Sequence, residues 1–469
     1  ADGYKAVYNN TTGFDNLAVG REALYNNIDG YRNLAVGRNA LSNNTSGNFN
    51  HAIGGSALLW NTTGSGNHAD GYQTLYWNTT GWYNLATGYQ ALNQNTTGSY
   101  NVAGGFQALY SNTTGSGNIA FGLHALAGNT GGNENIAFGG ESQYRITTGS
   151  GNFSVGTYSM NWASTASNNI ALGAGAMYGG NGSHNIAIGG GALHSTDGDY
   201  NIGIGVGSLG SNTTGYHNIA FGINALAANT TGIYNQADGY FALYNNTTGN
   251  YNYAGGYEAA INNTTGSWNT AIGYQAVFAN STSNENTGVG FQALYQTTGG
   301  HNTAFGTNAL SGVTTGERNT GIGAYDGSGG PINSTGSNYV VLSDGYGAVR
   351  LYSDPTGNIG IGTTSATVSA RLGVYGGNVQ IGSNGYGLVF PDGTFQTTAS
   401  TGGANLGNLA VSNVTVYTAE SVISLMTNTL DGHISHDYWY NVYTNATNRD
   451  GAGNTVRFDS TGNVVLITT

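Results

Sequence analysis

Asp2, Asp70 and Asp238 occupy a position at which most other copies of a recurring unit place Val, Ile, Leu or Phe. His68 and Gln236 make two of those copies polar two residues earlier as well. Should this position face a threefold axis, three carboxylates would converge on it, and like charges at close range need a cation, a proton or a layer of water. The three aspartates are therefore the candidates for a metal site, set against a plain solvated face.

A second chemistry lies in the aromatics. Tyr72, Tyr89 and Phe106 follow one another at 17-residue intervals, and so do Tyr240, Tyr257, Tyr274 and Phe291, with the same spacing. In an in-register array they form stacked ladders, each pair contributing about 0.5–1.5 kcal/mol. The functional alternative is a glycan-binding strip. Farther along, His433, His436, Tyr438, Trp439 and Tyr440 cluster in a loop-like stretch; their aromatic density suits either a receptor or sugar contact or a buried tip core. Catalysis has no such constellation. The nine histidines are scattered, acids are few, and no phosphate-loop, zinc or nucleophile-elbow spacing occurs, so no catalytic residue and no cofactor is expected.

The elements that hold these residues repeat. Nineteen asparagines, from Asn16 to Asn319, recur almost every 17 residues, and each is followed four positions later by glycine. A fixed period of this size means stacked coils. Numbered from its asparagine, the unit runs Asn, apolar, Ala, apolar, Gly, two variable residues, Ala, Leu, two variable residues, Asn, Thr, Thr, Gly and two more; Asn218 to Tyr234 displays it whole. Columns two to four, Ile219-Ala-Phe221, alternate large and small with the period of a strand. Ala225 and Leu226 are expected in a second short strand, and the Asn-Thr-Thr-Gly tetrapeptide in a turn whose glycine takes positive φ. The column-five glycine implies a backbone angle or a close approach that a Cβ would block. The Asn-x-Thr sequons within this tetrapeptide recur at one turn column and are explained by turn chemistry.

The units starting at Asn169, Asn185 and Asn286 have 16 residues, the shortfall lying after column nine. At ~4.8 Å per rung, nineteen coils make a rod roughly 90 Å long, with a ladder of column-one amides along it. A unit offers about three large apolar side chains, too few to offset ordering its backbone at ~1–2 kcal/mol per residue. Pooled cores in an intertwined or side-by-side homotrimer answer this; a monomeric three-sided β-helix is the other solution.

Segments such as Asn169-Ile-Ala-Leu-Gly-Ala-Gly-Ala176 and Asn185-Ile-Ala-Ile-Gly-Gly-Gly-Ala192 resemble the head repeats of YadA-type trimeric autotransporter adhesins. That resemblance implies a trimeric left-handed β-roll. The fuller wording of Asn269-Thr-Ala-Ile-Gly-Tyr-Gln-Ala-Val277 is similar to repeats of bacteriophage tail fibres, as are Gly357-Asn-Ile-Gly-Ile-Gly-Thr-Thr364 and Gly387-Leu-Val-Phe-Pro-Asp-Gly-Thr-Phe-Gln-Thr-Thr398. The chain departs from the adhesin heads in its longer period and shows no evident membrane-anchor barrel.

The reading is thus an all-β chain: a repetitive β-solenoid or β-roll shaft over 1–325, a Gly/Ser linker over 326–337, a β-rich neck over 338–400 and a distal domain over 401–469. Pro331, Pro355 and Pro391, the only prolines, all lie beyond the array. In the distal domain Leu409, Val416, Ile423 and Leu430 fall seven apart, as in a short coiled coil, and Thr455 to Ile467 has the pattern of a closing hairpin. Ala1-Asp-Gly3 matches columns three to five, so the chain opens inside a coil, as part of a longer fibre or with another chain completing the edge.

Charged residues make up 7% of the chain and the net charge is −12, which excludes nucleic acid as a natural partner. No stretch has the apolar length of a membrane span or the pattern of a signal peptide, so no membrane insertion is expected. The expected function is a non-enzymatic structural fibre, extracellular, on a virion or cell surface, attaching to a glycan or protein receptor. The alternatives are a cellular adhesin or self-assembling filament subunit and an ice-binding solenoid with ranked threonines.

Overall fold

The computed structural model describes residues 1–362 and, beyond them, the strand segments Leu372–Val374, Leu388–Val389, Phe395–Gln396, Thr455–Phe458 and Val464–Ile467. Two compact units divide the chain, Ala1–Gly376 and Gly377–Thr469. The described residues are all-β, without a helix.

Nineteen three-residue strands, β1 (Leu17–Val19) to β19 (Thr320–Ile322), occupy columns two to four, one per coil. Each pairs in parallel with the next, column on column, as Leu17, Ala18 and Val19 do with Leu34, Ala35 and Val36. The short coils keep this register, Ile170 lying on Ile186, because the missing residue comes from the outer loop. The chain is therefore a β-solenoid of about nineteen coils.

The second strand is not there. Columns six to eleven form a continuous turn, because columns seven and nine adopt the left-handed conformation: φ is 55° at Asn224 and 52° at Leu226. L-residues pay for that conformation at about 1–2 kcal/mol each. It persists because the chain still bonds to the next coil, Leu226 N–H donating to Ala242 O at 3.0 Å, and because the leucine fills the core. Sequence periodicity registers the burial of Ala225 and Leu226 but not the sign of φ.

The core is narrow. Column three and column eight alanines and the column-nine leucine are buried, as Ala120, Ala125 and Leu126 illustrate, whereas the large residues of columns two and four face away from it. Only one of the three large apolar residues in a unit is thus consumed inside its own coil. Column three packs across the core on column nine: a Cβ added to Gly321 would lie 2.6 Å from Leu310 Cγ. The strand is one wall of the solenoid, and the column-nine turn forms the opposite wall.

Both glycine columns are set by close approach. At column five φ is +126° for Gly88, and a Cβ there would meet Gly105 O at 2.5 Å. The Asn-Thr-Thr-Gly glycine differs from expectation in that its φ is not positive. It is required because a Cβ on Gly64 would meet the carbonyl of Gly81 and the Asn61 amide oxygen, both at 2.4 Å.

Pairing continues past residue 325. β20 (Val340–Ser343) lies parallel to β19, Thr320 on Val340, and the Gly/Ser stretch between them is an enlarged coil loop in which Tyr325 OH donates to Ile332 O at 2.7 Å. β21 (Val349–Ser353) and β22 (Ile359–Ile361) then add antiparallel strands. In the second unit Leu388–Val389 pairs with Phe395–Gln396, and Thr455–Phe458 with Val464–Ile467, both antiparallel. The heptad segment and His433, His436, Tyr438, Trp439 and Tyr440 lie outside the described residues.

Candidate functional site

Two buried amide ladders fix the coils. In column one, the side-chain oxygen of Asn101 accepts from Asn118 N–H at 3.0 Å, while Asn118 Nδ2 donates to Gly132 O at 2.8 Å. The second ladder, in column twelve, was hidden within a tetrapeptide that reads as a turn: Asn112 Nδ2 donates to Asn95 Oδ1 at 2.7 Å and to Gly115 O at 2.9 Å. From Asn44 onward these tetrapeptide asparagines are fully buried with their amide nitrogens occupied, so the folded coil offers them to no glycosyl donor. Column-thirteen hydroxyls are committed as well, Thr62 Oγ1 donating to Thr79 O at 2.9 Å, which leaves column fourteen as the outward threonine file.

The outer wall of the strands is a lengthwise apolar strip. Leu17, Leu85, Phe121, Phe138, Phe153, Phe221, Phe305 and Ile322 are all exposed there. Asp70 and Asp238 interrupt it, exposed at the ends of their strands, and Asp2 lies exposed beside Val19. The solenoid keeps the three aspartates apart, and among the described residues no group of three or more His, Cys, Asp and Glu side chains could hold a metal ion. Next to Asp70, His51 Nδ1 and His68 Nδ1 are 3.0 Å apart. One nitrogen must carry the proton and the other accept it. Burial pushes His51 below its ordinary value, the neighbouring His68 adds to this, and Asp70 opposes it.

Column six stacks as its spacing implies. Tyr89 and Phe106 lie 5.1 Å apart at 8°, and Tyr257 and Tyr274 5.2 Å apart at 6°; Tyr72, Tyr240 and Phe291 extend these runs. Rings in such runs cover one another, leaving an open face only at each end. A longer ladder escaped the sequence reading: His184, Tyr200, His217, Tyr234, Tyr251 and Trp268 stack without a break, at 4.2 to 5.2 Å. Its signal was a 16- or 17-residue spacing in the last column of each coil, which mixes histidine with tyrosine.

The opposite wall carries a groove, also unforeseen. It has a volume of about 570 Å³ and lies where columns ten and eleven shrink to Ala127 and Gly128 between Tyr110 and Tyr144, with Gln107, His124 and Arg145 along its sides. Arg145 is held in place by the Trp162 ring, 3.3 Å from its guanidinium carbon. Column seven contributes an amide file beside it: Gln90 Nε2 donates to Gln73 Oε1, and Gln107 Nε2 to Gln90 Oε1, each at 2.8 Å.

Fold and surfaces together define a repetitive β-solenoid protein, an architecture typical of structural proteins. No family model, curated protein or solved structure compared with the chain matches it.

Proposed function

We propose that this chain is a structural fibre protein whose solenoid associates with copies of itself through the strand wall and attaches the assembly to a host or cell surface. The apolar strip carries the reading. Its longest unbroken run spans seven coils, from Ile119 to Phe221, roughly 30 Å at the usual rung spacing, and contiguous exposed apolar surface marks an interaction site. A second and third copy supply the same strip, so three walls meeting on one axis bury the large residues that each coil leaves outside its own core. The resemblance of the repeats to trimeric adhesin heads and phage tail fibres points the same way and implies an extracellular position on a virion or cell surface. Weak contacts repeated on a stiff trimer then add up to attachment by avidity, with a glycan or a protein as receptor.

The oligomeric mass of the purified chain in solution tests this. A trimer that Phe121→Glu with Phe138→Glu converts to monomers is the expected result. A stable wild-type monomer overturns the reading, and regular end-to-end polymers in electron micrographs would replace it with a filament.

A further inference from the structure

We infer that the wall opposite the strands is a binding track for an extended β-linked polysaccharide, centred on Tyr76, Tyr110 and Tyr144, with Tyr178 at its end. This extends the attachment reading by naming a ligand class for the shaft, and its test does not depend on assembly.

The four tyrosines share column ten and recur every 34 residues, that is, in every second coil. Asn93, Ala127 and Asn161 take the intervening coils and are 5%, 8% and 3% exposed, whereas the tyrosines on either side are only partly buried. Column ten is thus a different object from column six. Rings in adjacent coils spend their faces on each other; rings two coils apart do not reach one another. Among the described residues no other ring stacks on Tyr110, and the nearest rings to Tyr76 and Tyr144 meet them edge-on or tilted, at 79° and 46°. Tyr178 differs, with one face stacked on His194 of the next coil at 5.1 Å and 14°, and closes the run. The smaller residues are locked down as spacers: Asn93 Nδ2 donates to Gln73 O and Asn161 Nδ2 to Glu141 O, both at 2.9 Å.

Two rungs measure about 9.6 Å, close to the length of one disaccharide in an extended β-1,4-linked hexose polymer. In such a polymer each sugar is turned over relative to the last, so the same apolar C–H face recurs at every second sugar. A tyrosine in every second coil meets that face each time. Apolar sugar faces pack on aromatic rings, while hydroxyl edges need planar donors and acceptors. The groove supplies Arg145 and, beside it, Gln107 and His124, which bond to each other at 3.0 Å and offer a ligand only their remaining amide and ring positions. An α-linked polymer curves away from a straight track. A nucleic acid, the other ligand with evenly spaced rings, is opposed by the net charge of −12.

The track is tested on the full chain by isothermal titration with cellohexaose and chitohexaose, with maltohexaose as the α-linked control. At least one β-linked hexamer is expected to bind while maltohexaose does not. Tyr110→Ala and Tyr144→Ala should each weaken binding roughly tenfold, in line with the loss of a stacking contact, and Tyr110→Phe should retain it. Unchanged thermal melting of these surface variants establishes that they fold. The Phe121→Glu, Phe138→Glu variant should bind the hexamer whatever its mass, which separates this proposal from the assembly reading. Failure of both β-linked hexamers to bind, equal binding of maltohexaose, or wild-type affinity in the two alanine variants overturns the inference.

Discussion

Gln143 Nε2 donates to Ser154 Oγ at 2.9 Å inside the alanine and leucine core. Gln143 stands in column nine, where Leu126 and Met160 precede and follow it, and its side-chain oxygen is buried without a partner. A buried acceptor left unsatisfied costs about 1–3 kcal/mol. The double substitution Gln143→Leu, Ser154→Ala restores the column pattern and is expected to stabilise the solenoid by about that amount. Chemical denaturation checks it; a lower midpoint would mean the polar pair is the better packing.

The amide ladder should be costly to break. Asn118→Ala removes the donors to Gly132 O and Asn101 Oδ1 and strips Asn135 N–H of its acceptor. A loss of about 2–4 kcal/mol is expected. Hydrogen exchange should quicken first at Asn135, and unchanged protection there would mean water replaces the amide.

Two glycines separate close approach from conformation. Gly122→Ala places a Cβ 2.5 Å from Gly139 O at a φ of +139°, and should destabilise by well over ~1 kcal/mol. Gly191 has a φ of +65° with nothing within 4 Å, in the column where Asn39 and Asn224 already adopt the left-handed form. Gly191→Asn should therefore leave the melting temperature unchanged or slightly raised, and a large fall would show that column seven tolerates side chains only in some coils.

His51 sets a pH dependence. Its folded value is depressed below the ordinary 6.5, first by burial and then by His68. The unfolded chain therefore binds the proton more readily, and the stability His51 contributes is complete above 6.5 and lost as pH falls through the depressed value. Melting curves between neutral and mildly acidic pH should show a loss that His51→Gln reduces. An identical loss in the variant would assign it to other groups.

How much of this was legible in sequence depends on which interaction each residue serves. Asn218, Ala220 and Gly222 announce a rung because every coil repeats the same neighbours, so one-dimensional order in space becomes periodicity in sequence. The core partner Leu226 was legible as buried, but its left-handed backbone was not, since nothing in a leucine signals positive φ. Asn112 looked like a turn residue because its ladder partner, Asn95, is one coil away and turn chemistry already explained it. The groove at Ala127 and Gly128 was missed for the opposite reason: it is made of what the neighbouring coils have and these two residues lack.

The amide ladders have a mechanical meaning. Bonds between coils run from each rung to the next, so tension along the rod passes through every junction in series, and added length brings no added strength. Resistance is set by the least connected junction. The column-twelve amides lapse after Asn129 and resume only at Asn212, which reaches back to the Thr196 hydroxyl at 3.1 Å. Column one keeps its buried side-chain link through that stretch, with Asn185 N–H donating to Asn169 Oδ1 at 2.8 Å, and other side-chain links lie on the outer loop, as where Ser150 N–H donates to Ser167 Oγ at 3.1 Å. A solenoid pulled from its two ends should give way first where the column-twelve amide is missing, among these coils or beyond Asn280, where Thr297 and Val313 take that column.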